Sequence, residues 1–274
     1  MASTYLFIDG EYLRQRHRQA MMDFFGVHGE LDVWKILRQS GADRAYFYDS
    51  LDDAPRSGED QAACRIRIAP LEAFIAKIRK VPNFHVRLGT VSQGKKRQQK
   101  EVDILLAVDM LTHGFNGSMK KAVLITGDLD FRPVVEALVR SGVFVDVWYH
   151  PSSVAPELPG AADYGLELRF RQMYSWNSQE FRDAHRIPSE QENAGDPAGC
   201  GAVIKIGKVW GCRAELRRFA LLPTGVKLSL WIMFGRGQTV RITDEDESLI
   251  EKYVGAQYEP ITWDDNPFED IPAD

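Results

Sequence analysis

The 274-residue chain is poor in cysteine: it holds only Cys64, Cys200 and Cys212, with no CxxC spacing. So few thiols, odd in number and scattered, argue against a disulfide framework and against a structural zinc knuckle. Long apolar runs are also absent, and nothing approaches the roughly 20 apolar residues that span a bilayer. The opening Met1-Ala2-Ser3-Thr4-Tyr5 has no basic segment and no apolar signal core, so the expectation is a cytoplasmic protein with no membrane partner. The histidines, His17, His28, His85, His113, His150 and His185, lack ligand spacing. With neither a Gly-rich phosphate loop nor an Asp-x-Asp opening, a small-phosphate hydrolase is disfavoured. An overall excess of positive charge is missing as well, since the formal net charge is -5. That figure says little about nucleic acid when the acids are concentrated locally. From Arg79 to Lys100 the chain also carries Lys80, Arg87, Lys95, Lys96 and Arg97 without any Asp or Glu, whereas the last segment holds Asp264, Asp265, Glu269, Asp270 and Asp274.

What is present reads as a globular chain, with 44% hydrophobic and 27% charged residues. Continuous apolar runs at Tyr5 to Ile8 and Ala122 to Ile125 predict short buried strands, the latter within a strand from Lys121 to Thr126, and further strands are expected at Arg44 to Tyr48, Phe84 to Leu88 and Phe144 to Trp148. Helical patterns separate them: Glu11 to Phe25, Leu31 to Leu37, Gln61 to Arg79, Glu101 to Leu111 and Phe131 to Val139, with a further helix expected over Ala161 to Tyr174. Strands alternating with helices imply a mostly parallel sheet covered on both faces, an α/β Rossmann-like layer. The Gly- and Pro-rich span 181–201 predicts a linker after a first domain of residues 1–180. Residues 202–263 then read as a small β-rich domain with a short helix from Asp244 to Tyr253, followed by an acidic tail, 264–274. In that domain Lys205, Lys208, Arg213, Arg217 and Arg218 lie among apolar residues and read as a solvated face. Trp34, Trp148, Trp176, Trp210, Trp231 and Trp263 read as core.

Two of three acidic motifs sit where an apolar run stops. Asp9 ends the first strand in Phe7-Ile8-Asp9-Gly10, and Asp128 follows the fourth in Thr126-Gly127-Asp128-Leu129-Asp130. In an open parallel sheet ligands bind at the carboxyl edge, so these carboxylates are expected to converge on one crevice. Asp103, in the first turn of its helix, gains from the helix dipole and can point the same way. Hard cations such as Mg²⁺ and Mn²⁺ take oxygen ligands, and carboxylates in one crevice meet that need. Asp9 is the natural central ligand because its strand lies mid-sheet, with Gly10 allowing close backbone approach. Asp130 joins the set if the turn around Leu129 is extended. Asp109 falls roughly 240° around the helix from Asp103, which points to a cap or a salt bridge instead.

In this order the motifs resemble the NYN domains of the PIN-like nuclease superfamily, in particular the LabA-like branch. Ile8-Asp9-Gly10-Glu11-Tyr12-Leu13 is similar to the family's Ile-Asp-Gly-x-Asn-Leu opening. Lys100-Glu101-Val102-Asp103 with Ala107-Val108-Asp109 is similar to its Lys-Gly-Val-Asp and Ala-x-Asp segment, and Thr126-Gly127-Asp128-Leu129-Asp130-Phe131 to its Ser-Gly-Asp-x-Asp-Phe motif. Ala162-Asp163 resembles a late Ala-Asp element, so the likeness covers about residues 4 to 175. It implies a PIN-like fold in which Asp9, Asp103, Asp128 and Asp130 bind Mg²⁺ or Mn²⁺ for RNA cleavage. Two positions depart, Tyr12 where the family often has Asn and Glu101 where it often has Gly.

The function expected from residues and resemblance together is a metal-dependent ribonuclease, an endoribonuclease acting through metal-activated water. Tyr12, Lys95, Lys96, Arg97, Lys100 and Thr126 are the expected substrate contacts. A non-catalytic RNA-binding or scaffold protein on the same fold is the alternative, with the β-rich end as a specificity or homo-oligomerisation module.

Overall fold

A computed structural model describes residues 3–89, 100–221 and 225–265, without the side chains of 100, 220–221 and 225–226. Lys95, Lys96, Arg97 and the tail from 266 onward lie outside the described residues. The chain divides into two compact units. The first comprises the described residues up to Met21, His28–Leu168 and Gln172–Ser178; the second runs from Gln179 and takes in Met22–Val27 and Arg169–Arg171.

In the first unit β1 (Thr4–Asp9) leads into α1 (Gly10–Phe25), α2 (Val33–Ser40), β2 (Arg44–Ser50), α3 (Gln61–Ile78) and β3 (Phe84–Gly89). The chain continues through α4 (Lys100–Phe115), β4 (Lys121–Ile125), α5 (Arg132–Arg140), β5 (Phe144–Tyr149), the single-turn α6 (Glu157–Gly160), β6 (Tyr164–Glu167) and α7 (Phe170–Ser175). All six strands pair in parallel, in the order β3-β2-β1-β4-β5-β6. The two halves of the sheet therefore diverge between β1 and β4, the switch point at which an open α/β sheet forms its crevice. Alternate residues explain the layering. Tyr5, Phe7, Tyr46, Leu124 and Val147 face a core completed by Val102, Leu106 and Met110 of α4 and Val135 and Leu138 of α5. The opposite set, including Leu6, Ile8 and Phe47, is equally buried, and Phe47 meets Phe74 of α3 edge-on at 5.8 Å. Helices thus cover both faces, as a parallel sheet requires.

One expected helix is corrected. Ala161 to Tyr174 holds β6 and the short α7 instead. β6 is an edge strand without an apolar run, and it is recruited by pairing with β5, Asp146 opposite Tyr164. The Asp163 carboxylate accepts the Val145 N–H at 2.8 Å beside this pairing.

In the second unit α8 (Gln179–Ala184) precedes β7 (Ser189–Glu192), β8 (Ala202–Val209), β9 (Cys212–Leu221), β10 (Gly225–Met233), β11 (Thr239–Asp244), α9 (Glu247–Gln257) and β12 (Thr262–Trp263). The strands form an antiparallel sheet in the order β12-β8-β9-β10-β11-β7. Leu216, Leu230, Ile232 and Ile242 are buried, as are Ile250, Tyr253 and Val254 of α9. The expected linker 181–201 is therefore only partly unstructured. β7 pairs with β11 across it, and Glu190 of β7 accepts from the Tyr253 hydroxyl at 2.7 Å and from Arg171 at 2.7 Å. The basic residues of this unit are largely engaged internally: Arg213 and Arg217 flank the buried Glu215 at 2.8 and 2.6 Å, and Lys205 pairs with Glu247.

Candidate active site

Asp9 is the last residue of β1 and lies opposite Tyr48 of β2. Its Oδ1 accepts the Tyr12 N–H from the first turn of α1 at 3.0 Å, and its Oδ2 accepts the Thr126 hydroxyl at 3.0 Å. Thr126 is fully buried just beyond β4, and its Oγ1 in turn accepts the Asp128 N–H at 3.2 Å. One hydroxyl thereby ties the ends of the two central strands together. Asp128 caps the 3-10 turn Leu129–Phe131 by accepting the Asp130 N–H at 2.9 Å. The turn is a 3-10 turn and not extended; both carboxylates are exposed, and Asp128 lines the cavity described next while Asp130 does not.

A cavity of about 400 Å³ opens here, lined by Asp9, Glu11, Tyr12, Gln15, Arg16, Asp103, Gly127, Asp128 and Ser153. Three of the four carboxylates expected from sequence, Asp9, Asp103 and Asp128, thus share one space. Gly127 is required there, because an added Cβ would stand 2.1 Å from the Ser153 carbonyl oxygen and 2.6 Å from the Tyr12 ring. Gly10 has a similar duty behind the site, where a Cβ would lie 2.6 Å from the Tyr48 carbonyl oxygen.

The electrostatics follow from this crowding. Burial pushes the Asp9 carboxyl up to about 6, opposed by its two hydrogen bonds and assisted by the charges of Asp103 and Asp49. Asp103 is also raised, by burial first and then by Asp128, Asp130 and Glu11. The Tyr12 hydroxyl is engaged within the fold, accepting the His150 N–H at 2.7 Å and lying 3.3 Å from Ser153 Oγ. Its ring forms a wall of the cavity. Lys100 opens α4, but its side chain, like Lys95, Lys96 and Arg97, lies outside what is described.

Asp109 takes the structural role anticipated for it, accepting from the Tyr48 hydroxyl at 2.8 Å and pairing with Arg87 at 3.3 Å. Sequence reasoning missed Asp49. It is 1% exposed near the carboxyl end of β2 and holds Arg14 of α1 through two bonds, of 2.8 and 3.0 Å. The signal was available, since Asp49 also follows an apolar strand run. Glu11, Gln15, Arg16 and Ser153 had no signal beyond proximity to the motifs.

The donor set is all oxygen, two of its acids repel one another, and no described basic side chain pairs with them, a composition that suits a hard divalent cation. Among the described residues no three His, Cys, Asp or Glu groups close around a single ion position. The fit is therefore to an ion that keeps part of its water shell, as Mg²⁺ does when held by one or two carboxylates.

Among solved structures, the chain is similar to a Vibrio parahaemolyticus protein of unknown function, with 17% identity over 61% of this chain and 93% of that one and a TM-score of 0.45. No curated protein matches the sequence. A model of the NYN domain matches residues 3–169. That span contains β1 through β6 and every acid of the cavity, and so the chain belongs to the NYN domain family of PIN-like proteins.

Proposed function

We propose that the chain is a divalent-metal-dependent ribonuclease that hydrolyses RNA phosphodiester bonds. The observation that carries this is the convergence of Asp9, Asp103 and Asp128 on one cavity at the switch point of the sheet. Asp9 would hold Mg²⁺ or Mn²⁺ centrally with Asp103 and Asp128, and Asp130 would act through its charge. When bound, such an ion lowers the pKa of a water to supply the nucleophile and neutralises charge on the phosphate. The protein's own contribution is positioning. Tyr12 N–H and Thr126 Oγ1 fix the Asp9 carboxylate, the capped turn fixes Asp128, and the Tyr12 ring and Gly127 shape the wall. Arg16 and Gln15 line the cavity as phosphate contacts, and Lys95, Lys96, Arg97 and Lys100 are proposed to extend that contact along the strand.

Labelled single-stranded and structured RNA incubated with Mg²⁺ or Mn²⁺ is expected to be cleaved by the wild-type chain and not by Asp9→Asn or Asp128→Asn. Cleavage that survives both substitutions unchanged would sink the assignment. A second reading is a non-catalytic RNA-binding protein on the same fold. RNA binding without cleavage under any divalent ion would select it.

A further inference from the structure

The second unit holds a cavity of about 410 Å³ lined by aromatic faces, Arg169, Glu192 and three amide side chains. Its floor is a ring cluster. Trp210 meets Tyr258 at 5.3 Å and 76°, and Phe234 lies 6.1 Å from each of them. The Arg169 guanidinium sits over the Trp210 ring, 4.4 Å from its centroid. Trp210 is 41% exposed, against the expectation that the tryptophans are core.

The backbone beneath this ring is held in a costly conformation. Trp210 and Gly211 form the two-residue turn between β8 and β9, with φ of 49° and 70°. Both values are positive, the mark of a type I′ turn, whose first position favours Asn and disfavours a bulky aromatic. The Trp210 N–H is received by the Glu259 carboxylate, which braces the turn. A position that local energetics would give to Asn instead presents an indole to solvent, and such strained positions cluster at ligand sites.

We infer that this cavity is a subsite for an unstacked nucleobase of single-stranded RNA, an assignment that rests on the chain being an RNA-processing protein. A cation position over Trp210 is already filled by the Arg169 guanidinium, 4.4 Å from the ring centroid. The three rings, tilted by 41° to 76° to one another, wall a cleft that offers an aromatic face to a flat base, and Arg169 adds cation–π character. The cavity rim matches the edge of a base. The Asn193 and Gln238 amides have no partner among the described residues, the Gln257 Oε1 is taken by the Arg171 N–H at 2.8 Å while its amide nitrogen stays available, and Glu192 supplies acceptors. Amides read donor and acceptor pairs and a carboxylate accepts from an exocyclic amino group.

The test uses the full chain in EDTA, so that binding is read independently of cleavage, with short labelled oligoadenylate followed by fluorescence anisotropy. Trp210→Asn suits the turn while removing the ring. It is expected to stay folded and to weaken binding about 5- to 150-fold, the loss of one stacked base. Trp210→Phe is expected to retain most of the affinity, and an abasic strand of equal length to bind as weakly to wild type as oligoadenylate binds to the Asn variant. Unchanged binding by Trp210→Asn, or equal affinity for the abasic strand, overturns the inference. Should Trp210→Asn not fold, photocrosslinking of oligoadenylate to wild type is expected at Trp210 or Tyr258, and crosslinks confined to other residues overturn it. A chain that shows these binding losses yet never cleaves RNA refutes the ribonuclease reading and leaves the subsite standing.

Discussion

Replacing Asp9 by Asn is expected to stabilise the protein in the absence of metal while removing its response to metal. Burial carries the Asp9 carboxyl from its ordinary 3.8 to about 6, and each unit of such a shift is worth about 1.4 kcal/mol between the two protonation states. The sign is that of a raised acid. The folded state binds the proton more tightly than the unfolded one, so this contribution is fully present below pH 3.8 and is lost as the pH rises through about 6. At pH 7.5 the ionised carboxylate therefore costs up to about 3 kcal/mol in the metal-free protein. Asn keeps the acceptor for the Tyr12 N–H. Its amide nitrogen, however, must face Thr126 Oγ1, which already accepts the Asp128 N–H, and a compromised bond of that kind costs about 1 kcal/mol. The net expectation is a gain of up to about 2 kcal/mol at pH 7.5, shrinking to nothing or reversing near pH 4. Urea denaturation in EDTA across pH 4 to 8 measures it. Saturating Mg²⁺ at about 100 times its dissociation constant is expected to raise wild-type stability by about 2.7 kcal/mol and to leave Asp9→Asn unmoved. A variant that is less stable than wild type at pH 7.5, or that gains equally from Mg²⁺, would refute the reasoning.

Other substitutions probe the supports of the same site. Gly127→Ala places a Cβ 2.1 Å from the Ser153 carbonyl oxygen, and is expected to cost about 1–3 kcal/mol in thermal or urea unfolding and to impair cleavage. Arg14→Met leaves the buried Asp49 carboxylate unpaired; a loss near the lower end of about 3–5 kcal/mol is expected, because Arg14 itself is a third exposed. Asp49→Asn on top of Arg14→Met recovers much of that loss if the unpaired charge is its cause. His17 is buried and held neutral, its imidazole pushed down to about 4 by burial. Its contribution is present above pH 6.5 and lost as the pH falls toward 4, opposite in slope to that of Asp9. The two nearly cancel in wild type, so Asp9→Asn is expected to show a steeper loss of stability between pH 6.5 and 4 than wild type does.

The parts legible in the sequence are those written in local pattern. Strands β1, β2, β4 and β5 are mainly apolar because a parallel strand inside the sheet is buried on both faces, and Asp9 and Asp128 stand out because they follow such runs. β6 and β7 carry no such signal. Both are edge strands defined by the partner they pair with, β5 and β11, and pairing is a tertiary property. The extended turn expected around Leu129 is replaced for a local reason: Asp128 caps its own turn and winds it into a 3-10 conformation, so Asp130 does not line the cavity beside it. Trp210 was read as core from residue type alone. The informative unit is the dipeptide Trp210-Gly211 between two strands, where Asn-Gly is the usual choice.

The acids of the sheet and of α4 separate into two kinds once their partners are counted. Asp49 is answered by Arg14, Asp109 by Arg87 and Tyr48, and Asp146 by Lys121 at 3.4 Å. Each has a counter-charge, which is how a folded chain tolerates a buried carboxylate for structural reasons. Asp9 and Asp103 have none among the described residues; their charged forms are disfavoured by burial and by neighbouring acids. A chain that wanted only stability would lose little by placing an amide at Asp9 and would gain what the carboxylate costs. Retaining the acids at the point where β1 and β4 diverge makes physical sense when a cation arrives to supply the missing positive charge. That difference in pairing, more than acidity itself, separates the cavity's carboxylates from the structural ones around them.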